Sequence, residues 1–404
     1  MKINKDLTLS LLIYLISVGG LTLSDLIVVS SFSHDSVSQW AFFKSVIFVL
    51  GGLCIFGFDQ LLLREASYYI EIKKQFWLQS IFLSAVSSFF LFLYLHSVFE
   101  TILCFFILVF YSTFLFEASY WRGQGKLLIS QLYTNLWKLF LFAVLFIIIV
   151  LKMKENILNI YFSSIVLSFF ILMIFKFFLI NKNDISSEKV TTKERVSFFI
   201  LGFYFFVHNI SLVMANYGEQ FLINLFHRSR LSADIFTYIT LYASLALAAI
   251  SFVGFYLGPL VRNNKNFNLE NYYYYFKYLI LLSVVTLLIN SVIIVFLKPI
   301  FFKELEFDPI LWLLTLFMTF FRVIYILPSL CLGVFGSEKV LMKSSFYTFT
   351  AVIIYIVIFS LLLQNDSKKI VYVLMCLMSV HWLFKLILSN YFVHLSLSKL
   401  KSEA

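Results

Sequence analysis

The sequence predicts an all-α polytopic membrane protein, and three observations carry that prediction. Of its 404 residues, 61% are hydrophobic, against about 45–50% in a soluble domain. Only 13% are charged, roughly half the usual share and too few to clothe a water-facing surface. The apolar residues also gather into twelve windows of roughly 20 residues or more, the length a helix needs to cross hydrocarbon.

In order, the windows run 7–31, 40–62, 75–97, 99–120, 128–151, 157–181, 196–226, 234–261, 273–298, 308–335, 343–364 and 369–396. The first follows Met1-Lys2-Ile3-Asn4-Lys5. It is too long for the apolar core of a signal peptide, holds Asp25 and precedes no A-x-A site, so it reads as a retained span. The longest polar break, 182–195, follows the sixth window and carries Lys182, Asp184, Glu188, Lys189, Lys193, Glu194 and Arg195. It divides the chain into an N-terminal six-helix lobe (1–181), a linker (182–195) and a C-terminal six-helix lobe (196–404).

The two halves echo each other. Gly57–Arg64 after the second window corresponds to Gly254–Arg262 after the eighth, and Arg122–Leu128 after the fourth to Gly333–Leu341 after the tenth. A parallel repeat of two pseudo-symmetric lobes produces such echoes, although Gly and Arg are common in turns of this kind.

Orientation follows from the basic residues in the loops. With the N-terminus in the cytoplasm, seventeen Lys and Arg fall on inner segments and eight on outer ones. Both termini are therefore expected inside. This bias accounts for much of the net charge of +10 without a nucleic-acid partner.

Six ionisable residues fall at mid-membrane depth: Asp25, Lys44, Lys138, Glu219, Arg322 and Lys385. Each costs about 2.5–3.5 kcal/mol to insert, so each should face a bundle interior or a wet cavity. Four cations against two acids suit an anionic solute such as a phosphate or pyrophosphate, which Arg grips as a fork and Lys as a point charge. The alternative is pairing with Asp25, Glu219 or backbone carbonyls. Lys176 and Lys277 lie near inner ends, where snorkelling is the simpler reading.

Polar stripes mark the first and seventh windows. Ser10, Ser17 and Ser24 recur every seven residues, and Asn209, Asn216 and Glu219 share one helical face. Such a face is either a cavity wall, with Asp25 and Glu219 as candidate ion-coupling acids, or the hydrogen-bonded seam between packed helices. The run Tyr272–Tyr275 reads as an aromatic belt, or as a surface on which sugar rings stack.

Several chemistries are absent. The chain has no G-x-x-x-x-G-K-[ST] and no H-E-x-x-H. Cys54, Cys104, Cys331 and Cys376 show no CxxC spacing, so neither a metal site nor a disulfide framework is expected. No cofactor and no catalytic residue is indicated.

Twelve spans in about 400 residues, together with the segments Gly57–Glu65 and Ala118–Lys126, resemble a Wzx-type polysaccharide flippase of the multidrug/oligosaccharidyl-lipid/polysaccharide (MOP) exporter superfamily. The resemblance implies a MATE-like fold with a V-shaped cavity. It implies a bacterial inner-membrane protein that moves undecaprenyl-pyrophosphate-linked oligosaccharide repeat units to the outer leaflet for O-antigen or capsule assembly. It also implies membrane lipids, a polymerase and a chain-length regulator of the same pathway as partners. On that reading Lys44, Lys138, Arg322 and Lys385 would hold the pyrophosphate. A polysaccharide polymerase or ligase of the same pathway is the enzyme alternative, but such proteins carry a sizeable outer loop and here the outer loops are short. A drug exporter of the same superfamily is the other alternative.

Overall fold

The computed structural model describes residues 5–64, 66–152, 156–179, 192–264, 267–301, 307–365, 367 and 369–403. The stretch 182–191 of the expected linker lies outside them. The described residues form helices and turns: α1 (Lys5–Ser31), α2 (His34–Cys54), α3 (Phe58–Arg64), a 3-10 turn (Ala66–Tyr68), α4 (Tyr69–Leu95), α5 (Val98–Gly123), α6 (Leu127–Val150), α7 (Ile157–Leu179), α8 (Thr192–Leu225), α9 (Ser229–Asn263), α10 (Leu269–Phe301), α11 (Pro309–Ile324), α12 (Ile326–Phe335), α13 (Glu338–Leu363) and α14 (Ile370–Glu403). Among them are twelve segments long and apolar enough to span a membrane, as the sequence predicts.

Local chemistry sets the helix ends. Ser97 caps α5 by accepting from Glu100 N–H, while His96 closes α4 in the left-handed conformation. Asp308 accepts from the N–H groups of Ile310 and Leu311, and Pro309 occupies the first turn of α11, where its missing N–H costs nothing.

Two windows are broken rather than continuous. The second ends at Cys54, and α3 follows a turn in which Gly57 has φ +75°. A Cβ there would also lie 2.4 Å from the Gly202 carbonyl oxygen, so glycine is required both for conformation and for close approach. The tenth divides at Tyr325 into α11 and α12. Pro328 withholds the N–H that the Ile324 carbonyl would accept, and its ring crowds that carbonyl.

The chain forms two compact units: Met1–Asp25 with Gln39–Phe221, and Leu26–Ser38 with Leu222–Ala404. In the first, α5 packs against α3, α4, α6 and α7. Its seams use small hydroxyls: Ser80 and Ser112 bond each other at 2.7 Å, and Ser130 donates to the Ala118 carbonyl at 2.8 Å. In the second, α14 packs against α11, α12 and α13, and α9 against α10 and α11. Trp382 and Lys385 of α14 are both fully buried.

The serine stripe of α1 is buried, and Ser24 returns its hydroxyl to the Gly20 carbonyl of its own helix. In the tyrosine run, Tyr272 is buried and bonds Asn390, whereas Tyr273 and Tyr274 are exposed.

Candidate functional site

In the first unit, α1 supplies Asp25 and α2 supplies Trp40 and Lys44. Trp40 and Lys44 are four residues apart and so project from one helical face. Lys44 Nζ bonds Asp25 Oδ2, and Trp40 Nε1 donates to Asp25 Oδ1 at 2.8 Å. Both carboxylate oxygens are thereby occupied. The Asp25 carboxylate is buried and the Lys44 side chain 13% exposed. Tyr161 of α7 supports the group from behind, its hydroxyl donating to the Trp40 carbonyl at 3.3 Å.

On α6, Gln131, Asn135 and Lys138 form a ladder. Lys138 Nζ donates to Asn135 Oδ1 at 2.6 Å, and Asn135 Nδ2 donates to Gln131 Oε1. The buried Gln131 Nε2 makes no hydrogen bond. Lys44 and Lys138 are close enough for their charges to interact. The expected residues Asp25, Lys44 and Lys138 thus belong to one buried cluster.

Asn209, Asn216 and Glu219 lie along the part of α8 that belongs to this same unit. Glu219 is buried and Asn209 half-buried. Asn216 donates to the Leu212 carbonyl at 2.9 Å, one turn back on its own helix.

A second ionic group stands at another level of the first unit. Lys176 Nζ lies 2.6 Å, and Lys73 Nζ 3.5 Å, from Glu117 Oε1, which also accepts from the Tyr69 hydroxyl at 2.7 Å. Lys176 is therefore held by an acid, where snorkelling was expected.

In the second unit, Arg322 of α11 and Lys385 of α14 both stand over the indole of Trp382. The Arg322 guanidinium lies 5.7 Å, and Lys385 Nζ 5.5 Å, from the Trp382 ring centroid. Lys385 Nζ also stands 5.2 Å from the Tyr325 ring, which meets Trp382 edge-on at 5.5 Å. Such contacts stabilise a desolvated cation by about 2 kcal/mol. Lys385 is fully buried and Arg322 half-buried. One turn before Lys385, His381 stacks on Tyr355 of α13 at 4.2 Å, and its Nε2 is buried with no hydrogen-bond partner.

The sequence reading missed Trp40, Gln131, Asn135, Tyr325, His381 and Trp382. Spacing was the available signal: Trp40/Lys44, Gln131/Asn135 and His381/Lys385 are each i, i+4 pairs. No three His, Cys, Asp or Glu among the described residues are grouped so as to hold a metal ion.

No protein-family model matches this chain, and no curated protein matches its sequence. Solved structures do match in fold. A MATE protein in its bent conformation superposes with a TM-score of 0.60 at 13% identity, over 100% of this chain and 99% of that one. The fold is that of the MATE transporters. An inward-facing multidrug-resistance MATE family transporter of the MOP superfamily gives 0.54 at 15% identity, covering 98% of this chain and 99% of its own. A MOP superfamily transporter from Pyrococcus furiosus gives 0.51 at 13% identity, covering 100% and 98%; reversed polarity of its binding pocket is described as suggesting a different function. This MATE-like fold accommodates twelve spans within 404 residues.

Proposed function

We propose that this chain is a MOP-type flippase that moves an undecaprenyl-pyrophosphate-linked oligosaccharide from the inner to the outer leaflet by alternating access. Its place is the bacterial inner membrane, with both termini in the cytoplasm. A single count carries the reading. Of the mid-span acids Asp25 and Glu219, Asp25 is committed to Lys44; a third acid nearer a helix end, Glu117, is committed to Lys73 and Lys176. Glu219 can neutralise at most one of Lys138, Arg322 and Lys385. Among the described residues cations thus outnumber acids at this depth, an expense of several kcal/mol that an anionic solute offsets.

On this reading, half-buried Lys138 in the first unit and half-buried Arg322 in the second are each candidates for phosphate contact. Lys385, fully buried beside Trp382, acts through its field. Lys44 reaches the solute only by sharing itself with Asp25. Asn209 and Asn216 supply polar groups for the sugar, and buried Asp25 and Glu219 are the candidates for any coupling ion. A fold shared with a multidrug-resistance transporter also admits drug export, but surplus positive charge disfavours any cationic drug. The Pyrococcus furiosus protein, with its described reversal of pocket polarity, supports a change of substrate within the fold.

The test is reconstitution in liposomes carrying a fluorescent short-chain prenyl pyrophosphoryl sugar. Wild type should expose the inner-leaflet label to an external quencher. The triple variant Lys138→Ala, Arg322→Ala, Lys385→Ala should lose at least ten-fold in rate at unchanged membrane abundance. Full flipping by the triple variant sinks the cationic reading.

A further inference from the structure

The least expected group in the second unit is His381. It sits in the middle of α14 at 5% exposure, stacked on Tyr355, with Nε2 unpaired. A buried imidazole nitrogen without a partner costs about 1–3 kcal/mol relative to one that is bonded. Its position explains why a protein would keep it. Lys385 is one turn away on the same helical face, and its charge reaches the imidazole. Arg322 completes a chain of basic groups along one indole.

We propose that His381 is a proton site linked to an anion held at Arg322 in the field of Lys385, so that the solute and one proton bind together. This rests on the anionic-solute reading above. A buried imidazolium needs a counter-charge, and the neighbouring cations supply none. An anion placed against Arg322 supplies it, and Nε2, poised without a partner, accepts the proton. Linkage makes the effect reciprocal: protonating His381 tightens anion binding by the same factor.

The other groups facing this point from the packed helices are Arg322 and Tyr325 of α11 with its cap, Tyr355 of α13, and Lys385 of α14 itself. On the described part of α10 the titratable groups include Tyr272, which bonds Asn390 more than two turns along α14, Lys277 and Tyr278, and α12 carries Cys331. Neither α10 nor α12 contributes a carboxylate there: the Asp and Glu residues of α10 to α14 stand in their terminal turns.

The experiment uses the full chain in nanodiscs with geranyl pyrophosphoryl glucose, a pyrophosphate diester that does not itself titrate near neutrality. Affinity and proton uptake are read together, the latter with a pH-indicator dye in weak buffer. Wild type should take up about one proton per bound ligand, and its affinity should tighten up to about ten-fold per unit fall in pH within the titrating window. His381→Gln keeps a polar side chain and His381→Phe keeps the stack on Tyr355. Both should bind with an affinity independent of pH and with no uptake. Binding by wild type without uptake overturns the proton site and leaves the flippase reading standing. Uptake that persists in both variants assigns the proton elsewhere, to Lys385 first, and overturns it too. Absence of binding at every pH overturns the proposal together with the reading it rests on.

Discussion

The two units stabilise buried cations by different means. In the first, Lys44 is answered by a carboxylate whose second oxygen is taken by Trp40, and Lys138 by an amide ladder. In the second, the side chains ranged against Arg322 and Lys385 include the faces of Trp382 and Tyr325. A carboxylate cancels charge and is costly to lose. A ring face lowers the energy of the cation but leaves its full charge to act on a neighbour. The first arrangement cancels the charge it holds, whereas the ring contacts of the second do not, and that difference can be tested by removing one without the other.

The largest effect should follow from Asp25→Ala. It strands Lys44 beside Lys138 with the acid gone, and breaking a buried pair from one side costs about 3–5 kcal/mol. Thermal unfolding in detergent should show a clear loss in the midpoint. The double variant Asp25→Ala, Lys44→Met should recover most of it, because no charge is then left buried. A double variant as unstable as the single would mean that Asp25 acts mainly through Trp40.

A much smaller change is expected from Lys385→Met. The fully buried ammonium loses its ring contacts, worth about 2 kcal/mol, but the cost of holding a charge out of water disappears with it. The isosteric thioether fills the same volume. Stability should stay within about 1 kcal/mol of wild type while flipping falls. A loss of more than about 3 kcal/mol would place Lys385 with Asp25, as a structural ion, and erase the contrast between the units.

The spans were legible because hydrocarbon thickness imposes a length that composition reveals. The turn at Phe56–Gly57 was not. Phe58 and Leu61–Leu63 extend the apolar run past it, so a window counts through the break, whereas the left-handed backbone of Phe56 and Gly57 and the approach of Gly57 to Gly202 forbid a continuous helix. The split at Tyr325 had a visible cause in Pro328. For the site, depth in the span singled out the charged residues, since any ionisable group there demands an explanation. Their partners were hidden, because Asp25 meets Lys44 across two helices and no periodicity encodes such a meeting. His381 was legible from its spacing to Lys385, yet a neutral imidazole does not stand out when residues are sorted by charge.

The smallest effect serves as a control lying outside both clusters. Asp308 caps α11, accepting from two backbone N–H groups and from the Tyr372 hydroxyl. These bonds hold its carboxyl below the usual carboxylate range despite the opposing effect of burial. Because the folded value lies below the unfolded one, the cap contributes its full stability above the ordinary carboxylate range. That contribution is lost only as pH falls through the depressed value. Asp308→Ala should therefore cost about 1 kcal/mol at any pH near neutrality, read as a uniform shift of the unfolding midpoint. The loss should shrink only in strong acid. It follows that a pH dependence of ligand affinity near neutrality cannot come from this end of α11. If Asp308→Asn, which preserves an acceptor, flattens that dependence, the titrating group is Asp308, and the field around Lys385 has been assigned the wrong acid–base partner.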